Sequence, residues 1–540
     1  MTERTPRTVL LRGGNVYSPA DPFATAMLVE GGHVAWVGSD GAAEAYADGA
    51  DEIVELDGAL VTPAFVDAHV HATATGLALT GLDLTDCASL PEALARIAAF
   101  CAERSEATAA GGVLIGHGWD ETNWPEGRAP SLAELDAAAG GAPLYLSRTD
   151  VHSALATSAL RALVPGLADT AGHHPEQPLT RDAHHAVRVA ALAHLTPGQR
   201  RAAQLATLRR AAELGIGALH ECAGPQISSA EDLAALLALA AETPGPEVHG
   251  YWGELGPAGV ATAQRLGAAG AGGDLFVDGA LGSRTACLHD PYTDAPHTGV
   301  AYLTADQVAE HVTACTEAGL QAGFHAIGDA AITAVVDGVR AAADKLGADR
   351  VRALRHRVEH AEALTPETLA AFAELGLTAS VQPAFDAAWG GPDGMYAARL
   401  GAERAAALNP FAAMLRTGVP LAFGSDAPVT PLDPWGTVRA AAFHRTPEHR
   451  ISVRAAFTAH TRGGHRALGH DQDGVLVPGA IASYAIWATT DLVVQAPDSR
   501  VAGWSTDPRS GTPGLPDLTP GAPLPTCLRT VVRGRTVYER

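Results

Sequence analysis

Only six cysteines occur in 540 residues, at positions 87, 101, 222, 287, 315 and 527, and no two stand in a C-x-x-C spacing. That argues against a disulfide framework and a cysteine zinc ribbon. The thiols are expected to be reduced, buried small side chains, so any metal must be held by histidine and carboxylate. Basic residues are also in short supply: 37 Lys+Arg against 60 Asp+Glu give a formal net charge of -23. No overall field then attracts nucleic acid or an anionic membrane. The stretch "MTERTPRTVLLRGGNVYSP" lacks the uninterrupted apolar core of a signal peptide, and no later stretch is apolar for long enough to span a bilayer. A soluble cytoplasmic protein acting on a small molecule is the expectation. There is also no G-x-S-x-G elbow and no Walker loop, and the Gly-rich "GAAGAGGDL" precedes an expected strand where a dinucleotide fingerprint follows one. Redox and nucleotide-dependent chemistries are disfavoured.

What remains is an ordinary globular composition, 47 % hydrophobic and 18 % charged, long enough for a barrel-sized domain and a smaller one. From about residue 196 one phrase repeats: a capping residue, often with Pro next, then an amphipathic helix, Gly, and a short apolar strand. Thr196-Pro197 opens one copy and Gly215 ends its helix before Ile216 to His220. A second ends its helix at Gly319 and runs a strand into His325, a third runs from Thr365-Pro366 past Gly376 to Gln382, and a fourth uses Asn409, Pro410 and Gly418 before a strand reaching Asp426. Repeated helix-then-strand units predict a parallel (β/α)8 barrel. About ten candidate strands can be counted, including "GVLIGHGWD", "APLYLSRTD" and "GDLFVDG", so one or two must belong to an insertion. We place the barrel at 61–474, with the insertion around 77–195.

Both ends read differently. Residues 7–59 and 475–540 carry short alternating strands with Gly-containing turns, and "LLRGGNVY" and "VVRGRTVY" echo each other. Residues 1–60 and 475–540 are expected to build one composite β-sandwich. The Pro/Gly-rich "WSTDPRSGTPGLPDLTPGAPLP" is read as a structureless loop.

In "VTPAFVDAHVHATATG" an apolar run ends in His69-Val70-His71. Residues i and i+2 of a strand share a face, so two imidazoles aim at one point. With 23 histidines in the chain, one His-x-His is close to chance. The argument strengthens when strand ends are compared: His69, His71, His325, His360 and Asp426 all fall at the C-terminal end of their own units, where catalytic groups of a barrel converge. "HRVEH" at 356–360 matches a zinc-protease pattern that requires a helix, but it sits where the alternation demands a strand. Asp329 is expected to cap the helix after His325.

The phrases "VTPAFVDAHVH", "GHGWDETNW", "LFVDGALGSRTA", "FHAIGDAA", "RVEHAE", "SVQP", "GSDAPV" and "GVLVPGAIASYAIW" span nearly the whole chain in order. In these the sequence resembles the amidohydrolase superfamily, and within it the amidohydrolase-3 group that includes N-substituted formamide deformylase. The resemblance implies a TIM-like metallo-hydrolase barrel with a composite β-sandwich. It also implies metal ligation by His69, His71, His325, His360 and Asp426, with Asp426 moving protons as general base and acid. A divalent ion so held, zinc by expectation, lowers the pKa of a bound water toward neutrality and polarises a scissile carbonyl. Many relatives carry a carboxylated Lys that bridges two metals on the fourth strand. Here Asp274 stands at that position as a candidate further ligand, leaving one or two ions open. Ser283, Arg284, Trp119, Asp120, Asp150 and His152 are candidate substrate contacts, each weighed against loop fixing or packing. The expected activity is hydrolysis of a non-peptide carbon–nitrogen bond, amide or N-substituted formamide. The alternatives are a cyclic amidohydrolase or deaminase with the same ligands, or a barrel that has lost its metal and serves as a scaffold. Relatives are often dimers, so a homodimer is a further expectation.

Overall fold

Eight strands form one parallel sheet in which sequence order is spatial order: Phe65–Val70, Ile216–Ala223, Glu247–Trp252, Gly270–Ala271, Gln321–Ala326, Arg357–His360, Thr378–Val381 and Leu421–Phe423. They are referred to as the first to eighth barrel strands. The segment just past the eighth closes the ring onto the first: Val70 and Ala427 form a parallel bridge, Asp426 N–H donates to the His69 carbonyl at 2.8 Å, and His71 N–H donates to the Ala427 carbonyl at 3.0 Å. The fold is therefore the TIM-like α/β barrel that the repeated phrase implies. The computed structural model describes residues 7–149, 153–495, 504–505 and 513–540.

The punctuation of the repeat has physical content. Thr365 Oγ1 accepts from Thr368 N–H at 3.2 Å ahead of helix Pro366–Leu375, which Gly376 ends in a left-handed conformation. Thr304 and Gly319 frame Ala305–Ala318 in the same way. These caps satisfy backbone groups that a helix end leaves orphaned, and they aim each chain into the next strand. Residues of the first, second, fifth and sixth strands are buried throughout, as a parallel sheet covered on both faces requires.

The chain divides into two compact units, residues 72–207 and the remainder. Residues 72–207 have their own five-stranded sheet, ordered Leu179–Thr180, Ser153–Ala156, Leu144–Arg148, Leu114–Trp119, Leu82–Asp83, and a core that includes Leu84, Ile97, Trp119, Leu144 and Leu146. Two of the ten counted strands, those of "GVLIGHGWD" and "APLYLSRTD", lie here, which leaves eight for the barrel. In the other unit, both chain ends share a sheet: Asn15–Val16 and Leu60–Pro63 with Tyr484–Ala488, Thr526–Val532 and Arg535–Glu539. A second sheet of Thr8–Arg12, Ala26–Glu30, His33–Gly38 and Glu52–Glu55 packs on it through Leu11, Met27, Val29, Val61, Tyr484 and Ile486.

Three local expectations need correction. The fourth strand is only Gly270–Ala271, inside the "GAAGAGGDL" stretch, and "GDLFVDG" is irregular apart from a bridge between Phe276 and His325. Gly272 and Gly273 take φ of 140° and 77°, and a Cβ on Gly272 would lie 2.2 Å from the Gly323 amide, so the chain leaves the ladder there. Asp329 is the first residue of helix Asp329–Leu346 rather than its cap, and its carboxylate accepts from His289 N–H at 2.9 Å. The Pro/Gly-rich tail is not wholly without structure, since Trp504–Ser505 and Leu515–Pro516 each pair with Leu492–Gln495. All six cysteines are free, and five are buried, Cys287 being half-buried.

Candidate metal centre

Six side chains converge at the C-terminal ends of the barrel strands. His69 and His71 come from the first strand and the residue after it, His325 and His360 from the fifth and sixth, Asp274 from the turn after the fourth, and Asp426 from three residues past the eighth. Asp274 lies between two pairs of histidines. Its Oδ2 is 3.5 Å from His69 Nε2 and 3.3 Å from His71 Nε2, while its Oδ1 is 3.2 Å from His325 Nδ1 and 3.5 Å from His360 Nε2. Asp426 Oδ1 is 3.0 Å from His71 Nε2 and 3.5 Å from His69 Nε2. Four-coordinate zinc with bonds of about 2.0–2.1 Å sets its donor atoms about 3.3–3.4 Å apart. The spacing fits such an ion.

The second nitrogens are engaged, which fixes each ring. His69 Nδ1 donates to Glu359 Oε2 at 2.8 Å, His71 Nδ1 to the Cys222 carbonyl at 2.9 Å, and His360 Nδ1 to Gln382 Oε1 at 2.8 Å. Such partners set tautomer and ring orientation in metal sites. The free atoms face inward: His69 Nε2 and Asp426 Oδ1 are buried with no hydrogen-bond partner. Buried polar atoms are seldom left so. A divalent ion at this point would satisfy both.

Beneath His69 lies a charged pair that sequence reasoning did not single out. Arg357 and Glu359, both fully buried, point into the barrel from the sixth strand. Glu359 bonds the Arg357 guanidinium, which also donates to the Ala68 carbonyl at 2.6 Å and Ser380 Oγ at 2.7 Å, and lies 4.5 Å from the Tyr251 ring centre. Burial pushes the Glu359 carboxyl up, but Arg357 and His69 outweigh it and hold it down at about 2. Asp67 ties the barrel closure, accepting from Ser425 N–H at 2.9 Å and His69 N–H at 3.2 Å. Asp278 accepts from the amides of Cys287, Ile327 and Gly328 at 2.8–3.0 Å, and so holds the turn after His325. Glu359 and Arg357 were discoverable in "RVEHAE", where their i, i+2 spacing marks one face.

The backbone is strained at the ligands. Asp426 and His360 have φ of 55° and 69°, and Ala361 has 44°. Non-glycine residues in this region cost of order 1–3 kcal/mol each and gather at functional sites. Strict alternation would turn His360 away from the face that carries Arg357 and Glu359; the left-handed φ ends the extended run and lets its Nε2 reach Asp274. Burial opposes charge here, yet Asp274 and Asp426 raise the His69 and His71 pKa values well above the usual range, and the imidazoles hold both carboxyls below theirs. The site stabilises positive charge at its centre.

Arg284 is bound in bidentate fashion by Asp294 at 2.7 and 2.9 Å, with Arg399 on the same carboxylate at 2.7 Å. Its fork is occupied by that carboxylate. Ser283 is exposed, its hydroxyl 2.7 Å from Thr285 Oγ1. Within residues 72–207, Trp119 is buried, donating to the Leu146 carbonyl at 3.0 Å, and Asp120 accepts from Thr122 N–H at 3.1 Å and pairs with Arg148 at 2.7 Å. Asp150 and His152 lie outside the described residues. His356 and Glu359 sit in or beside a strand, so "HRVEH" is not the helical protease arrangement.

Comparison with known proteins agrees with this geometry. The family described as "Amidohydrolase family" matches residues 52–538. The chain is 27 % identical over 538 residues to "Protein LONG AFTER FAR-RED 3" of Arabidopsis thaliana, covering 89 % of this chain and 87 % of that one. Over a shorter span of 143 residues, 26 % of each chain, it is 31 % identical to "N-substituted formamide deformylase" of Arthrobacter pascens. Among solved structures it resembles an uncharacterized metal-dependent hydrolase from Pyrococcus furiosus, with a TM-score of 0.74 and 26 % identity, covering 89 % of this chain and 98 % of that one. Among the described residues no helix is long and apolar enough to cross a membrane.

Proposed function

The chain belongs to the amidohydrolase family, metal-dependent hydrolases of carbon–nitrogen bonds, and from that premise we propose that it cleaves N-substituted formamides or related amides with Asp426 as the proton-transfer group. The observation that carries this reading is the position of Asp426, whose unpartnered Oδ1 stands 3.0 Å from His71 Nε2 inside the six-residue cluster. His69, His71, Asp274 and Asp426 would hold one divalent ion, zinc by the chemistry of an imidazole and carboxylate donor set. His325, His360 and Asp274 would hold a second. A bound divalent ion supplies Lewis acidity, polarising a carbonyl and making water more acidic. The chain's own groups do the rest. Asp426 takes the proton of the attacking water and delivers it to the departing nitrogen, so amide and water become acid and amine. Glu359 keeps His69 in the tautomer that leaves Nε2 free, and Gln382 does the same for His360.

An apolar substituent on the substrate is supported by the rings beside the cluster. Half-buried Phe276 lies 4.7 Å from the His325 ring, and Phe385 stacks on His360 at 5.9 Å with half-buried Trp389 behind it at 4.7 Å. Aromatic faces of this kind bury apolar groups well. The name of the Arthrobacter relative points to the formyl group. The test is elemental analysis of protein purified without added metal, beside His69→Ala/His71→Ala, followed by hydrolysis assays on N-substituted formamides, longer carboxamides, cyclic amides and amino-substituted heteroaromatics. Metal lost in the double variant, with turnover of the formamides, is the expected result. Turnover confined to cyclic amides or aminoheteroaromatics would overturn the substrate assignment.

A further inference from the structure

The opposite end of the barrel carries a second group of metal-ligating side chains that the reaction does not use. The third strand begins Glu247-Val248-His249, so His249 lies toward its N-terminal end, away from the strand ends that hold the metal centre. Helix Arg462–Ala467 buries His465, and the loop that follows returns His470 and Asp473 to the same place. One ligand atom from each of His465, His470 and Asp473 lies within 4.8 Å of the others. The His249 ring packs edge-on against His470, with centroids 6.1 Å apart.

The loop is constructed around these groups. His470 N–H donates to the His465 carbonyl at 3.0 Å and Asp473 N–H to the His470 carbonyl at 3.3 Å. Gly474 takes φ of 72°, and a Cβ there would lie 2.9 Å from His465 Cδ2 and 2.7 Å from Arg462 Cα, so only glycine lets the chain lie against the imidazole. Of the two carboxylates nearby, Glu247 is taken by Arg533 at 2.7 Å. Asp473 forms no such close ion pair with an arginine among the described residues, and His470 Nδ1 lies 4.0 Å from its carboxylate.

We propose that His465, His470 and Asp473 form a second divalent-metal site, for zinc or another ion that favours imidazole, at the N-terminal end of the barrel. Two imidazoles and a carboxylate are a donor set for zinc, cobalt or nickel rather than for calcium or magnesium. Half the His470 side chain is exposed, so the ion can enter from solvent and His470 can close onto it. Its position on the face where barrel residues serve stability gives the ion a structural role. It would link helix Arg462–Ala467 to the loop that leads back to the β-sandwich.

Chelator-treated full-length protein, titrated with zinc and desalted, gives the equivalents retained by elemental analysis and the zinc-induced rise in melting temperature. Wild type, His470→Ala, Asp473→Asn and His69→Ala/His71→Ala are compared. We expect His470→Ala and Asp473→Asn each to retain one equivalent less than wild type and to lose part of the zinc-induced rise, with hydrolase activity unchanged. The His69/His71 variant should keep that equivalent, so failure at the catalytic centre is read separately. Equal zinc content and equal thermal response in wild type, His470→Ala and Asp473→Asn would overturn the proposal.

Discussion

Replacing Glu359 by glutamine keeps the shape of the side chain and removes its charge, leaving the fully buried Arg357 guanidinium without its counter-ion. Two routes give the magnitude. The Glu359 carboxyl is held at about 2 against an ordinary 4.5, and at about 1.4 kcal/mol per pKa unit that difference corresponds to about 3 kcal/mol. Breaking a buried ion pair by removing one partner costs about 3–5 kcal/mol, the same range. Because the folded-state pKa is depressed, this stability is fully present above pH 4.5 and is lost as pH falls toward 2. Glu359→Gln also removes the acceptor that orients His69, and loss of such a partner weakens metal affinity or activity about 10–100-fold. Urea unfolding at pH 7 and pH 4 with metal held constant, together with zinc-affinity measurements, tests both effects. The expected result is a loss of about 3 kcal/mol at pH 7 that shrinks toward pH 4 and below, with weaker zinc binding. A variant within about 0.5 kcal/mol of wild type at pH 7, with unchanged zinc affinity, would refute the reasoning.

Other perturbations have equally definite outcomes. Asp426→Asn should lower kcat about 100-fold or more, the range of lost general acid–base catalysis, with the fold unchanged by circular dichroism. Asp274→Asn removes the carboxylate shared by the two histidine pairs and should lower the metal content by at least one equivalent, read by elemental analysis. Gly424→Ala places a Cβ 2.4 Å from the His69 amide nitrogen; it should cost about 1–3 kcal/mol in unfolding experiments and reduce metal retention, because the eighth strand must move off His69. Arg284→Ala should alter KM and kcat little if the residue only fixes its loop through Asp294, and should instead lower the melting temperature.

The barrel and the convergence of the candidate ligands were legible because both depend on local chemistry. Caps such as Thr365 and Gly376 mark helix ends one by one, and the polar residues that stop each apolar strand, His69, His325 and His360 among them, are conspicuous against it. Asp426 was placed at its strand's end although the ladder stops at Phe423, since the turn beyond still lies over the barrel mouth. The rest depended on what is distant in sequence. Alternation puts Arg357 and Glu359 on one face but does not reveal that His69, 290 residues from Glu359, supplies the third member of the network. Nor does it foretell the positive φ of His360, which only the assembled site supports. The short fourth strand escaped because a close approach of Gly272 to Gly323 is a tertiary contact. Residues 72–207 looked like an interruption in the repeat, whereas a five-stranded sheet gives them a core of their own.

Six residues from the C-terminal ends of five barrel strands are proposed to form one divalent-metal centre. Anomalous diffraction at the zinc edge from crystals of zinc-loaded protein tests it most directly. A peak is expected within bonding distance, about 2.0–2.2 Å, of His69 Nε2, His71 Nε2 and oxygens of Asp274 and Asp426, and a second peak beside Asp274, His325 and His360. Crystals with zinc bound elsewhere but no peak in contact with His69 and His71 would contradict it.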